Sequence, residues 1–206
     1  DDYARAAFDS CEASRGLAPV ATAAYRGFVF VRVSARGPAF EDQMAPLLAT
    51  IDLIADRSPS GRLQVNGPCL RMKLRCNWKL AQEAFMESFH VVATHPQLLA
   101  GMGDTITQYD DFGNFARGLT PNGITSTHVK SWVPTEQDMI DALTDRTLDI
   151  DPVIVIPEGE RSRKVLADVR RAGLAPVIGD EAAEALSDAE VCDSIVYTMF
   201  PNMHPW

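Results

Sequence analysis

The chain has 206 residues, 46% of them hydrophobic, and a formal net charge of −9; that is length enough for one sizeable core. The acidic balance, uninterrupted by any basic cluster, excludes a nucleic-acid surface. No run approaches the length of a membrane helix, and a start at Asp1-Asp2 without a signal-peptide pattern leads us to expect an excerpt of a longer protein.

Residues 3–13 suit a short helix, and Gly16 to Ala24 reads as extended and proline-interrupted. The run GFVFVRVS over 27–34 is strongly β-prone and is expected to be a strand. Met44, Leu47, Leu48, Ile51 and Ile54 recur at helical spacing, which predicts an amphipathic helix over 41–55. From Leu63 the period changes to two. Leu70, Met72, Leu74 and Cys76 alternate with Arg71, Lys73 and Arg75, and Asn66-Gly67-Pro68 is a turn signal, so 62–76 reads as a hairpin. Its basic stripe reads as a solvated face, with docking of an acidic partner as the sharper alternative.

The stretch Asn77–Pro96, NWKLAQEAFMESFHVVATHP, holds the chemistry. Glu83, Glu87 and His90 are spaced i, i+4, i+7 and share one face of a helix. Acids and a histidine turned towards an apolar interior are costly unless paired or bound to a metal. His90 and His95 lie about 140° apart around an ideal helix, so a straight helix cannot aim both at one point. Val91, Val92 and Thr94 between them are β-branched, weak helix formers, and Pro96 closes the segment. A helix that loosens after His90 turns His95 back to share an ion. Neutral imidazoles with a carboxylate and open positions are the ligand set of mononuclear non-haem iron.

Beyond Pro96, Thr105–Tyr109 and Asn114–Leu119 read as two strands, and Asp111-Phe112-Gly113 between them as a turn. Thr135 with Asp138 in the capping-box position opens a helix running to about Arg146. Further helices are expected over Glu160–Ala172, ending at Gly173, and over Asp180–Leu186; their mixed charges suit exposed insertions. A β-prone run, SIVYTMFPN, covers 194–202. His128 and His204 read as structural or exposed, and Asp180, Asp188 and Asp193 are not taken as metal ligands.

Asn-Trp-Lys, then Glu83, Phe85, Glu87, Phe89-His90 and His95-Pro96, in this order, closely resemble the iron-binding segment of the Rieske-type aromatic-ring-hydroxylating oxygenases, large (α) subunit. The 27–34 strand also resembles the one by which these enzymes pass from Rieske to catalytic domain. The resemblance implies that His90 and His95 bind catalytic Fe(II). An aspartate completing the facial triad is expected beyond Trp206. Glu87 would hydrogen-bond His90 and carry electrons from a Rieske [2Fe–2S] cluster in a neighbouring subunit; family members commonly have Asp there. Many also have Asn where this chain has Ala84. The four cysteines (Cys11, Cys69, Cys76, Cys192) form no Cys-x-His or Cys-x-x-His, so the cluster's domain is expected N-terminal to Asp1. The thiols are expected reduced, in the cytoplasm.

The resemblance further implies an α+β catalytic domain of helix-grip (Bet v 1-like) shape, an antiparallel sheet around a long helix with inserted helices. Residues 1–26 would be a tail linking to the Rieske domain and 27–206 a partial catalytic domain. The expected reaction is O₂ activation at Fe(II) and hydroxylation of an aromatic or other apolar substrate. Electrons would come through a ferredoxin or reductase, in a homotrimer or an α₃β₃ assembly. By position, Phe85, Val91 and Leu99 are candidates for the pocket wall. Two alternatives stay open. A metal-free carrier of apolar ligands has the same shape, but Glu83 and Glu87 speak against it. A zinc hydrolase lacks a supporting HExxH spacing.

Overall fold

The computed structural model describes residues 17–65, 67, 69–144, 153–200, 203 and 204. The helix expected over 3–13, Cys11 and Arg146 lie outside the described residues. Helices and antiparallel strands are mixed along the chain, the α+β class. Strands β1 (Ala21–Tyr25) and β2 (Phe28–Arg32) form a hairpin. Its turn residues Arg26 and Gly27 have φ of 48° and 90°, the positive pair that a two-residue hairpin favours. The pleat turns Phe28 and Phe30 towards helix α1 (Phe40–Ala55) and leaves Val29 and Val31 outside.

The second sheet runs β3 (Gln108–Asp111), β4 (Phe115–Thr120) and β5 (Ser194–Met199), all antiparallel, in that order. Asp111-Phe112-Gly113 is the β3–β4 turn, where the Asp111 carboxylate accepts the Gly113 N–H at 2.8 Å. Met44, Leu47 and Ile51 of α1 pack on Phe115, Tyr197 and Met199. Alternation along β4 and β5 sends Gly118, Thr120, Ser194 and Val196 to the opposite face, which walls a cavity.

Among the described residues, four helices enter between the neighbouring strands β4 and β5: α4 (Glu136–Leu143), α5 (Ser162–Ile178), α6 (Asp180–Ala185) and α7 (Asp188–Cys192). Helices α2 (Trp78–Met86) and α3 (Val91–Thr94) precede β3. Helices α4, α5 and α7, with Ile154 from the segment before α5, share a separate core of Ile140, Ile154, Leu166, Ala167, Val191 and Cys192. Helix α5 continues through Gly173, its expected end, to Gly179 at φ 94°. A glycine in a helix costs only about 1 kcal/mol, whereas the left-handed φ at Gly179 cannot continue one. Helix α7 was not among the expected elements, although Ser187 and Glu190 have capping-box spacing and form both of its bonds.

The hairpin expected over 62–76 does not form. Among the described residues of that segment none is in a strand, and Leu70 and Met72 are 88% and 83% exposed. Alternation specifies a strand only where a second layer buries its apolar face, and no described element covers this one. Cys69 and Cys76 are exposed free thiols, and Cys192 is a buried one whose pKa burial raises.

Candidate metal centre

Helix α2 (Trp78–Met86) starts where the Asn77 side chain accepts the Lys79 N–H at 2.9 Å. It stops at Glu87, whose φ of −99° and ψ of 148° are extended. A turn over Ser88–His90 leads into the short helix α3 (Val91–Thr94) and a 3-10 turn, Pro96–Leu98. The helix therefore breaks before His90, not after it as the β-branched run suggested. Glu83, Glu87 and His90 do not share one continuous helical face, and Glu83 is exposed.

The break gives Glu87 its geometry. One carboxylate oxygen accepts the His90 backbone N–H at 2.9 Å and the other lies 2.8 Å from His90 Nδ1. A carboxylate can only accept here, so Nδ1 is the donor, and in a neutral ring Nε2 then carries the lone pair that ligates metals. The His95 ring stands 5.5 Å from the His90 ring, centre to centre, at 81°. With metal–nitrogen bonds of about 2.1 Å, each ring centre sits roughly 3 Å from a bound ion, so two rings at this spacing can reach one ion. The donor set fits a divalent transition metal. Among the described residues no group of three or more His, Cys, Asp or Glu side chains gathers to hold one.

Both imidazoles line a cavity of about 580 Å³, a size typical of small-ligand pockets. Phe85 and Val91 line it too. Leu99 does not: it is buried, its carbonyl accepts the Ser126 N–H, and its neighbour Leu98 faces the cavity instead. Gly118 and Thr120 of β4 and Ser194 and Val196 of β5 line the cavity as well. Sequence pattern did not single these out, because only strand pairing brings residues so distant in the chain to one wall.

Below the break, the buried Ser88 contacts strand β3. Its N–H donates to the Tyr109 hydroxyl at 2.9 Å, and its Oγ lies 2.9 Å from both that hydroxyl and the Asp104 carbonyl. The remaining histidines are engaged elsewhere. His128 Nδ1 is 3.1 Å from the buried Asp104 carboxylate, and His204 Nδ1 is 3.0 Å from Thr198 Oγ1. Burial lowers the His204 pKa. Asp193 pairs with Arg163, and Asp188 with Arg171.

Known proteins resemble this chain over part of its length. Residues 67–204 match the model of the ring hydroxylating alpha subunit (catalytic domain) family. The large subunit of anthranilate 1,2-dioxygenase from Acinetobacter baylyi is 35% identical over 88 residues, 42% of this chain and 19% of that protein. The biphenyl dioxygenase alpha subunit of Metapseudomonas furukawaii is 33% identical over 98 residues, 46% of this chain and 21% of its own length. The oxygenase subunit of glycine betaine monooxygenase from Chromohalobacter salexigens is 32% identical over 98 residues, 48% and 20% respectively. The match thus spans about a fifth of each relative. Among the described residues no helix is long and apolar enough to cross a membrane.

Proposed function

The chain belongs to the family of ring-hydroxylating alpha-subunit catalytic domains, and from that premise we propose that it forms the oxygen-activating site of a Rieske-type non-haem iron oxygenase. His90 and His95 would hold Fe(II). The observation that carries this reading is the pair of imidazoles lining one cavity, with the Glu87 carboxylate on Nδ1 of the first. Ferrous iron, when bound, supplies O₂ activation for hydroxylation of an aromatic or other apolar substrate.

The chain's own residues do the rest. Glu87 keeps the proton on His90 Nδ1, raises the basicity of Nε2 and fixes the ring's orientation. Phe85, Val91, Leu98 and Val196 present apolar walls that exclude water from a bound ring. Electrons would enter from a Rieske [2Fe–2S] cluster of a neighbouring subunit through Glu87, in a trimeric assembly served by a ferredoxin or reductase. The three-stranded sheet and its packed helix would belong to a helix-grip domain. The cavity size also suits a metal-free carrier of apolar ligands, and the same experiment separates the two.

The test is iron content and product formation in the full-length protein. His90→Ala and His95→Ala are expected to abolish iron binding. Glu87→Gln should retain iron and lose most coupled turnover, with O₂ consumption no longer matched to product. Iron retained by both histidine variants would overturn the metal assignment and favour the carrier. Unchanged turnover in Glu87→Gln would overturn the electron route.

A further inference from the structure

We propose that Tyr109 is a positioning residue for the Glu87–His90 pair, acting through a closed hydrogen-bond ring with Ser88; the inference rests on the metal-holding reading above. In an uninterrupted helix the Ser88 N–H would donate to the Ala84 carbonyl and the His90 N–H to the Met86 carbonyl. The extended ψ of Glu87 takes both out of that ladder. The His90 N–H then goes to the Glu87 carboxylate and the Ser88 N–H to the Tyr109 phenol. Ser88 is only 7% exposed, and a buried N–H without a partner is strongly disfavoured. The phenol is therefore what makes the break affordable at this position.

The protons of the ring can be assigned. The Asp104 carbonyl only accepts, so the Ser88 hydroxyl donates to it at 2.9 Å. Tyr109 O–H then donates to Ser88 Oγ, and its oxygen accepts the Ser88 N–H. Every donor in the ring is used. Strand pairing sets the phenol's place: Tyr109 lies opposite Gly118. A Cβ at Gly118 would stand 3.4 Å from the Met86 carbonyl and 3.9 Å from the Tyr109 ring. The end of α2 thus rests against a bare stretch of β4, beside the phenol that holds the next residue.

Removing the phenol hydroxyl favours continuation of α2 by another turn. The His90 N–H would return to the Met86 carbonyl, and Glu87 would lose one of its two bonds to His90. The imidazole that faces the cavity would then lose its orientation without any change in the ligands themselves.

The experiment titrates Fe(II) into metal-stripped full-length protein carrying Tyr109→Phe, Ser88→Ala or both, and records the spectrum of the iron–nitric oxide adduct and the Tm. Loss of an outer partner of a metal-ligating histidine weakens affinity about 10- to 100-fold. Tyr109→Phe is expected at the lower end, about tenfold, with a broadened adduct spectrum. Ser88→Ala keeps the N–H to phenol bond and is expected to cost less. The double variant should match Tyr109→Phe, because both break one ring. Fe(II) affinity and adduct spectrum unchanged in Tyr109→Phe would overturn the proposal, even with a lowered Tm, since that is a structural role alone. Failure of both single variants to fold would overturn it too. His90→Ala run alongside separates the outcomes. If that variant keeps iron, the metal reading itself fails; if it loses iron while Tyr109→Phe does not, only the positioning role fails.

Discussion

The helical lobe between β4 and β5 and the site segment from Trp78 to Leu98 are held by opposite means. The lobe closes on its own apolar core, with Ile140, Leu166 and Cys192 fully buried. Capping boxes start α4 and α7, and Arg170 and Arg171 donate to the carbonyls of Val191 and Leu186. The site segment has little apolar burial. Helix α2 contains no buried residue, Phe89 is 79% exposed, and the polar contacts of Glu87 and Ser88 set its shape. Burial is non-directional and tolerates small shifts of its parts, whereas hydrogen bonds fix direction. The lobe contributes stability and the site segment contributes aim.

That contrast can be broken most forcefully in the lobe's centre. Leu166→Ala should destabilise the protein by about 2–5 kcal/mol, read by urea unfolding, while the protein that remains folded binds Fe(II) as before. Gly101 tests the seam between the two regions. A Cβ there would overlap the Met139 carbonyl oxygen of α4, so Gly101→Ala should push lobe and site segment apart at a cost of about 1–3 kcal/mol. Unlike Leu166→Ala, it should also weaken binding of apolar ligands in the cavity. An unchanged cavity would mean that the seam does not transmit strain. Ser187→Ala removes one N-cap and should cost about 1 kcal/mol.

The smallest effect is a pH dependence. Hydrogen bonds from the Ser187 hydroxyl and N–H lower the Glu190 pKa, and the Thr135 hydroxyl and N–H lower that of Asp138. A depressed carboxylate pKa adds stability that is fully present above the ordinary value near 4 and is lost as pH falls through the folded value. Thermal unfolding between pH 5 and about 2 should therefore show the lobe weakening with acid. Ser187→Ala should flatten that slope; an unchanged slope would show that these caps do not carry it.

Much of this was legible residue by residue. The 3.6 period of Met44, Leu47 and Ile51 marks α1 because those side chains do bury against the sheet. Thr135 with Asp138 marks the start of α4, because a capping box is a local bond within four residues. The 62–76 alternation is equally clear and forms no strand, since burying its face requires a partner layer. The break in the site helix was expected one turn late. The β-branched run after His90 is a weak local preference, and the Ser88–Tyr109 bond, made 21 residues apart, outweighs it.

By itself the sequence determined the net acidic charge and the gathering of Glu87, His90 and His95 in one short segment, because each follows from composition or from neighbours in the chain; the α+β class was implied by the resemblance. Tertiary structure alone decided where the helix breaks, that Leu98 and not Leu99 faces the cavity, and that strands β4 and β5 supply part of its wall. Those depend on which residues distant in the chain come within hydrogen-bonding or packing distance, and such contacts leave no local trace in the order of amino acids.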